Sequence, residues 1–166
     1  MSELNSPSEN VRVFTTHSAE ETIETGREIA RFLDPPKVML LRGDLGAGKT
    51  TLVKGIAAAL GAAEPEEVTS PTFTLIHEYA GRSVEHANLG ETVLLYHLDL
   101  YRIENQRQLD TLGMEELMTP QSVLLIEWGE KFPSVTRRCD GEIIIETLRG
   151  DERRITLALQ TPKPVS

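Results

Sequence analysis

Eight consecutive residues, Gly43-Asp44-Leu45-Gly46-Ala47-Gly48-Lys49-Thr50, satisfy the spacing G-x-x-x-x-G-K-[ST], and their chemistry is that of a polyphosphate cradle. Glycines let the backbone bend so that successive N–H groups converge, and a helix starting behind them adds the positive end of its dipole. Gly46, Ala47 and Gly48 would supply amides, and Lys49 would reach the β/γ-phosphates as a point charge. The Thr50 hydroxyl would coordinate the Mg²⁺ that accompanies ATP or GTP, and Thr51 completes the binding set.

A phosphate loop alone does no chemistry, so a further Mg²⁺ contact and a group near the attacking water are required. Two acids stand out by position. Glu127 ends the apolar run Val123-Leu124-Leu125-Ile126, where a metal-binding carboxylate opposite such a loop is expected. Asp99 ends Leu94-Leu95-Tyr96-His97-Leu98 and is given an indirect role, or the positioning of water. Either could hold the metal, and Glu127 is favoured because its strand reads as more central. Each also has the plain reading of a solvated acid at a strand end.

Ser70-Pro71-Thr72-Phe73-Thr74 is a short hydroxyl-rich loop entering a strand, from which Thr72 could reach metal or γ-phosphate. Spacing alone favours an ordinary turn in which Ser and Thr bond neighbouring backbone. Trp128 reads as core or as a surface against the nucleotide. His77, His86 and His97 show no diagnostic spacing and read as structural, and Arg102, Arg107, Arg137 and Arg138 read as solvated surface.

The elements that must position these groups follow from periodicity and turn chemistry. Val11 to Phe14 alternates as a strand, and Ser18 followed by Glu21 reads as a capping box opening a helix with Ile23, Ile29, Ala30, Phe32 and Leu33 on its apolar face. Lys37 to Leu41 reads as a buried strand leading into the phosphate loop. The helix behind the loop carries Leu52, Val53, Ile56 and Leu60 and stops at Gly61. Strands are expected at 73–79, 92–98 and 121–126, with a long hairpin loop between the first two and a charged helical region over 104–117. Residues 143–148 and 154–159 read as a closing hairpin around Arg149-Gly150-Asp151. Residues 1–10 are expected to be a disordered arm, 11–160 a single P-loop domain and 161–166 a tail.

A chain of 166 residues, 39% hydrophobic, fits one domain with room for a five- or six-stranded sheet. A net charge of −9 argues against autonomous nucleic-acid binding, which needs clustered Lys and Arg. The single Cys139 excludes an internal disulfide and offers no metal-site spacing, so a reducing compartment is expected. With no membrane-spanning apolar stretch and no signal-peptide segment, a cytoplasmic protein is expected.

Four ordered motifs together carry a resemblance. Residues 43–51, then Ser70-Pro71-Thr72-Phe73-Thr74-Leu75, then His97-Leu98-Asp99-Leu100-Tyr101-Arg102, then Leu125-Ile126-Glu127-Trp128 resemble the TsaE (YjeE) family, bacterial ATPases of tRNA threonylcarbamoyladenosine modification. The resemblance runs from Thr22 and Gly26, which match a Thr-x-x-x-Gly element, to Arg153. It implies an α/β, P-loop NTPase-like three-layer fold whose mixed central sheet includes antiparallel strands. It also implies Mg²⁺ and ATP as cofactors and TsaB and TsaD type proteins as partners, with tRNA met only through that complex. The resemblance further implies that TsaD would carry the transfer chemistry and that ATP hydrolysis would reset the complex between turnovers. By position, Lys49 and the loop amides would bind phosphates, Thr50 and Glu127 would hold Mg²⁺, Asp99 would support hydrolysis and Thr72 would sense the γ-phosphate. Thr22 and Trp128 would lie near the base or a partner surface. Two departures are the long Tyr79–Thr92 connection and Gly129, where the family pattern often has Pro.

Two rival readings remain from the residues. A small-molecule kinase shares the loop but needs a basic lid, for which Arg137-Arg138 is too little. A nucleotide-gated interaction module with little hydrolysis would carry the same loop residues. A GTPase is disfavoured because no Asn-Lys-x-Asp segment follows a strand.

Overall fold

Alternation along the strands decides the layering. In β2 (Lys37–Arg42) and β5 (Ser122–Glu127), Met39, Leu41, Val123 and Leu125 enter one apolar core, while Val38, Leu40, Leu124 and Ile126 enter another on the opposite face. Strands apolar on both faces must be covered on both. The computed structural model, which describes residues 10–82 and 91–160, has that arrangement. One face is covered by α1 (Ala19–Ala30) and α2 (Lys49–Leu60), through Ile29, Leu52 and Ile56. The other is covered by α3 (Gln106–Thr111), α4 (Met114–Leu117) and α5 (Pro133–Thr136), through Leu109, Met114 and Val135.

The remaining strands are β1 (Val11–Thr16), β3 (Ile76–Arg82), β4 (Thr92–Asp99), β6 (Gly141–Thr147) and β7 (Arg153–Leu159). The sheet has seven strands in the order β1-β7-β6-β2-β5-β4-β3, more than the five or six that length suggests. Its middle, β6-β2-β5-β4, is parallel, and β3, β7 and β1 add antiparallel edges. The expected mixed α/β sheet with antiparallel strands is the one found. β5 lies between β2 and β4 with all six residues buried, as its unbroken apolar run implies.

Several boundaries differ from the sequence reading for local reasons. Leu75 has φ 73°, so the chain turns through 73–75 and β3 starts at Ile76, not Phe73. Gly113, at φ 70°, divides the expected 104–117 helix into α3 and α4. Ser18 caps α1 by accepting from the Glu21 N–H, but the Glu21 carboxylate accepts from the His17 N–H, one residue before the position a capping box requires. A 3₁₀ turn at Gly129–Lys131 and α5 follow β5, where no helix is expected. Residues 1–9 of the expected arm, the 161–166 tail and residues 83–90 of the Tyr79–Thr92 connection, with His86, lie outside the described residues. Among the described residues no helix is long and apolar enough to cross a membrane.

Candidate active site

The phosphate loop joins β2 to α2. Gly46 and Gly48 adopt φ of 79° and 110°, the left-handed region where a side chain strains the backbone. Inside the bend the Ala47 N–H donates to the Asp44 carbonyl at 3.0 Å. No side chain caps the start of α2, so its leading amides face the cleft with the positive end of the helix dipole behind them. On the outer side Arg153 donates from Nε to the Ala47 carbonyl at 2.9 Å, while its Nη1 donates to the Gly150 and Glu152 carbonyls at 2.8 and 3.1 Å. One guanidinium thus braces the loop against the β6–β7 turn. Lys49 folds back within the loop, donating from Nζ to the Gly43 carbonyl, and lies 3.7 Å from Glu127 Oε1.

The acids come from the neighbouring parallel strands. Val93, Leu95, His97 and Asp99 share the β4 face that looks toward α1 and α2, as do Val123, Leu125 and Glu127 on β5. Asp99 and Glu127 pair in register at the carboxyl ends of their strands, the place where ligands bind in open parallel sheets. They are 4% and 5% exposed, so neither is the solvated strand-end acid of the plain reading. Asp99 Oδ1 accepts from the Tyr101 N–H at 2.9 Å. Glu127 Oε2 lies 2.6 Å from His97 Nε2.

Loop and acids face each other across a cleft of about 710 Å³. Gly46, Gly48, Lys49, Thr50, Thr51, Thr72, Asp99, Glu127 and Trp128 all line it. Ala47 is buried behind the loop. The Thr72 hydroxyl sits 2.7 Å from that of Ser70, which also reaches the cleft. Trp128 is 38% exposed with φ 64° and stacks obliquely on Tyr101, centroids 5.2 Å apart, so it is a cleft wall and not core. Thr22 lies elsewhere. It is 3% exposed, its hydroxyl is 2.9 Å from that of Thr16, and it lines neither this cleft nor the adjoining one of about 400 Å³ beside Lys49 and Glu127. Its setting is the buried packing of α1.

Four contributors have no site role in the sequence reading, which takes His97 as structural. His97 holds Glu127, Tyr101 lines the cleft, and Arg153 braces the loop. Lys131 donates from Nζ to the carbonyls of Leu100, Tyr101 and Ile103 at 3.1, 2.8 and 2.8 Å, tying the turn after β5 to the turn after β4. Only His97 had a local signal: two residues before Asp99 on one strand, it must share that face.

The donor set suits Mg²⁺ accompanied by phosphates. Thr50 and Glu127 offer hard oxygens to one cleft. Among the described residues no group of three or more His, Cys, Asp or Glu could hold a metal alone. One or two protein oxygens completed by substrate phosphates is the usual way this small, reluctantly dehydrated ion is held.

A family model described as threonylcarbamoyl adenosine biosynthesis protein TsaE matches residues 16–155. The chain is 37% identical over 143 residues to the tRNA threonylcarbamoyladenosine biosynthesis protein TsaE of Treponema pallidum, covering 86% of this chain and 97% of that one. It is 39% identical over 142 residues to the same-named Bacillus subtilis protein, covering 85% and 81%. The crystal structure of Bacillus subtilis YdiB superposes with a TM-score of 0.63 at 33% identity, covering 90% of this chain and 86% of that one. The chain therefore belongs to the TsaE family of tRNA threonylcarbamoyladenosine biosynthesis proteins.

Proposed function

We propose that the chain hydrolyses Mg·ATP in this cleft, and that hydrolysis supports tRNA threonylcarbamoylation together with TsaB and TsaD type proteins. The observation that carries the reading is the uncapped, glycine-bent start of α2, with Lys49 at its head, facing two buried acids in register. Amides of the loop and the Lys49 ammonium would neutralise the phosphates, and Thr50 and Glu127 would hold the ion. When bound, Mg²⁺ supplies charge neutralisation on the transferred phosphoryl group. Asp99, fixed by the Tyr101 N–H, would orient the attacking water, and Thr72 on its half-buried turn would respond to the γ-phosphate. Trp128 and Tyr101 would shield one wall from bulk water. Hydrolysis is expected to be slow alone, with partner docking completing the alignment, and a cytoplasmic setting fits that role.

Multiple-turnover threonylcarbamoylation of tRNA, reconstituted with TsaB and TsaD type proteins, threonylcarbamoyl-adenylate and this chain, tests the reading. Wild type should sustain repeated turnovers, and Lys49→Ala should stall after about one. Equal sustained rates for both would contradict it.

A further inference from the structure

We propose that His97 is the positioning residue for Glu127, fixing the carboxylate so that one oxygen is turned to the ion while the other is held inside the protein. The proposal rests on the reading of Glu127 as the Mg²⁺-holding acid. His97 is fully buried, and its Nε2 lies 2.6 Å from Glu127 Oε2. A carboxylate only accepts, so the proton of this bond sits on Nε2. Nδ1 is buried and has no hydrogen-bond partner among the described residues. Buried polar atoms are nearly always paired, so an apolar side chain at this position would serve packing better than a half-satisfied imidazole. The contact to Glu127 is what the ring contributes in return.

That contact has a geometric consequence. With Oε2 engaged by His97, Oε1 is the oxygen on the Lys49 side, 3.7 Å from Nζ. The acid is held from behind by the imidazole of the adjacent strand and from the front by the loop lysine. Register explains the reach. His97 pairs with Leu125 and Asp99 with Glu127, so the ring lies one same-face step behind the acids and donates forward along the sheet. Outer donors that orient a ligating side chain typically govern metal affinity by about 10- to 100-fold.

The test compares two amides of identical chemistry and different reach. In His97→Gln the side-chain nitrogen falls near the place of Nε2, and in His97→Asn it falls near that of Nδ1, away from Glu127. Mn²⁺ binding in the presence of a non-hydrolysable ATP analogue is followed by electron paramagnetic resonance, and analogue binding is measured separately without divalent ion. His97→Gln should keep Mn²⁺ affinity within about threefold of wild type. His97→Asn should lose about tenfold or more, with metal-free analogue affinity changed less than about twofold in both. Equal Mn²⁺ affinity in the two variants would overturn the positioning role, because a merely structural histidine does not distinguish the reach of its replacement. Glu127→Gln is measured alongside: if it too keeps Mn²⁺ affinity, the assignment of Glu127 to the metal fails first and the proposal falls with it. Proton exchange of either variant's α2 amides verifies that the loop helix is intact in the sample used.

Discussion

Asp99 and Glu127 stand in register at the ends of adjacent parallel strands, two buried acids whose partners differ. Glu127 is held by His97 and faces Lys49 across 3.7 Å, whereas Asp99 is held by the backbone N–H of Tyr101. Different donors thus hold the two acids, and under the proposed function they would have separate tasks.

Separate tasks imply separable defects. Lys49→Ala removes the loop's own cation and should weaken ATP binding by about 10- to 100-fold, the range of one charge-assisted contact. Glu127→Ala should leave ATP binding nearly intact and abolish Mg²⁺-dependent turnover. Equilibrium nucleotide binding and Mg²⁺-dependent phosphate release on the two variants check this. Retained Mg²⁺-dependent hydrolysis in Glu127→Ala would transfer the metal to Asp99.

Lys131 is expected to matter beyond its exposed position. Its three carbonyl bonds join the turn bearing Tyr101 to the turn bearing Trp128. Lys131→Met preserves the stem and removes the donors, and should cost about 1–3 kcal/mol in urea unfolding. It should also change Trp128 fluorescence, since the Tyr101–Trp128 stack loses its brace.

The loop helix depends on a close crossing with α1. A Cβ on Gly55 would sit 1.9 Å from the Ile23 carbonyl oxygen, and one on Gly26 2.4 Å from that of Leu52. Gly55→Ala should therefore destabilise by at least about 1–3 kcal/mol, the range of overpacked cores, and Gly26→Ala comparably. Chemical denaturation reads both, and an unchanged midpoint would mean that the helices can separate freely.

Cys139 gives a pH dependence of definite sign. Burial, then the nearby charges of Asp140 and Glu142, push its thiol up to about 12 from an ordinary 9.0. Between those values the unfolded chain has released the proton and the folded chain retains it. The contribution is thus fully present below pH 9 and is lost as pH rises toward 12. Stability should decline more steeply over that window in wild type than in Cys139→Ala. At pH 8 the folded thiol should react with a disulfide reagent far more slowly than the urea-unfolded one.

What the sequence discloses is local, and what it conceals depends on register. The phosphate loop, Gly61 as the stop of α2, and Glu127 at the end of an apolar strand follow from spacing within a few residues. That Asp99 lies beside Glu127, and that His97 reaches it across 30 positions, depends on strand pairing, which periodicity does not encode. Arg153 meets Ala47 across 106 positions for the same reason. Thr22 shows the opposite case: an element matched in sequence, Thr22 with Gly26, is packed into the α1–α2 layer and is not among the residues lining the cleft. Leu75 and Trp128 take left-handed backbone with no glycine to announce it, so the late start of β3 and the turn into α5 were not legible.

The most direct measurement is phosphate release from Mg·ATP by the purified chain, alone and then mixed with TsaB and TsaD type proteins from one organism. Slow release alone, a strong rise with the partners and loss of both in Lys49→Ala are expected. Clear ATP binding with no release in either mixture would contradict hydrolysis in this cleft and leave a nucleotide-gated assembly role in its place.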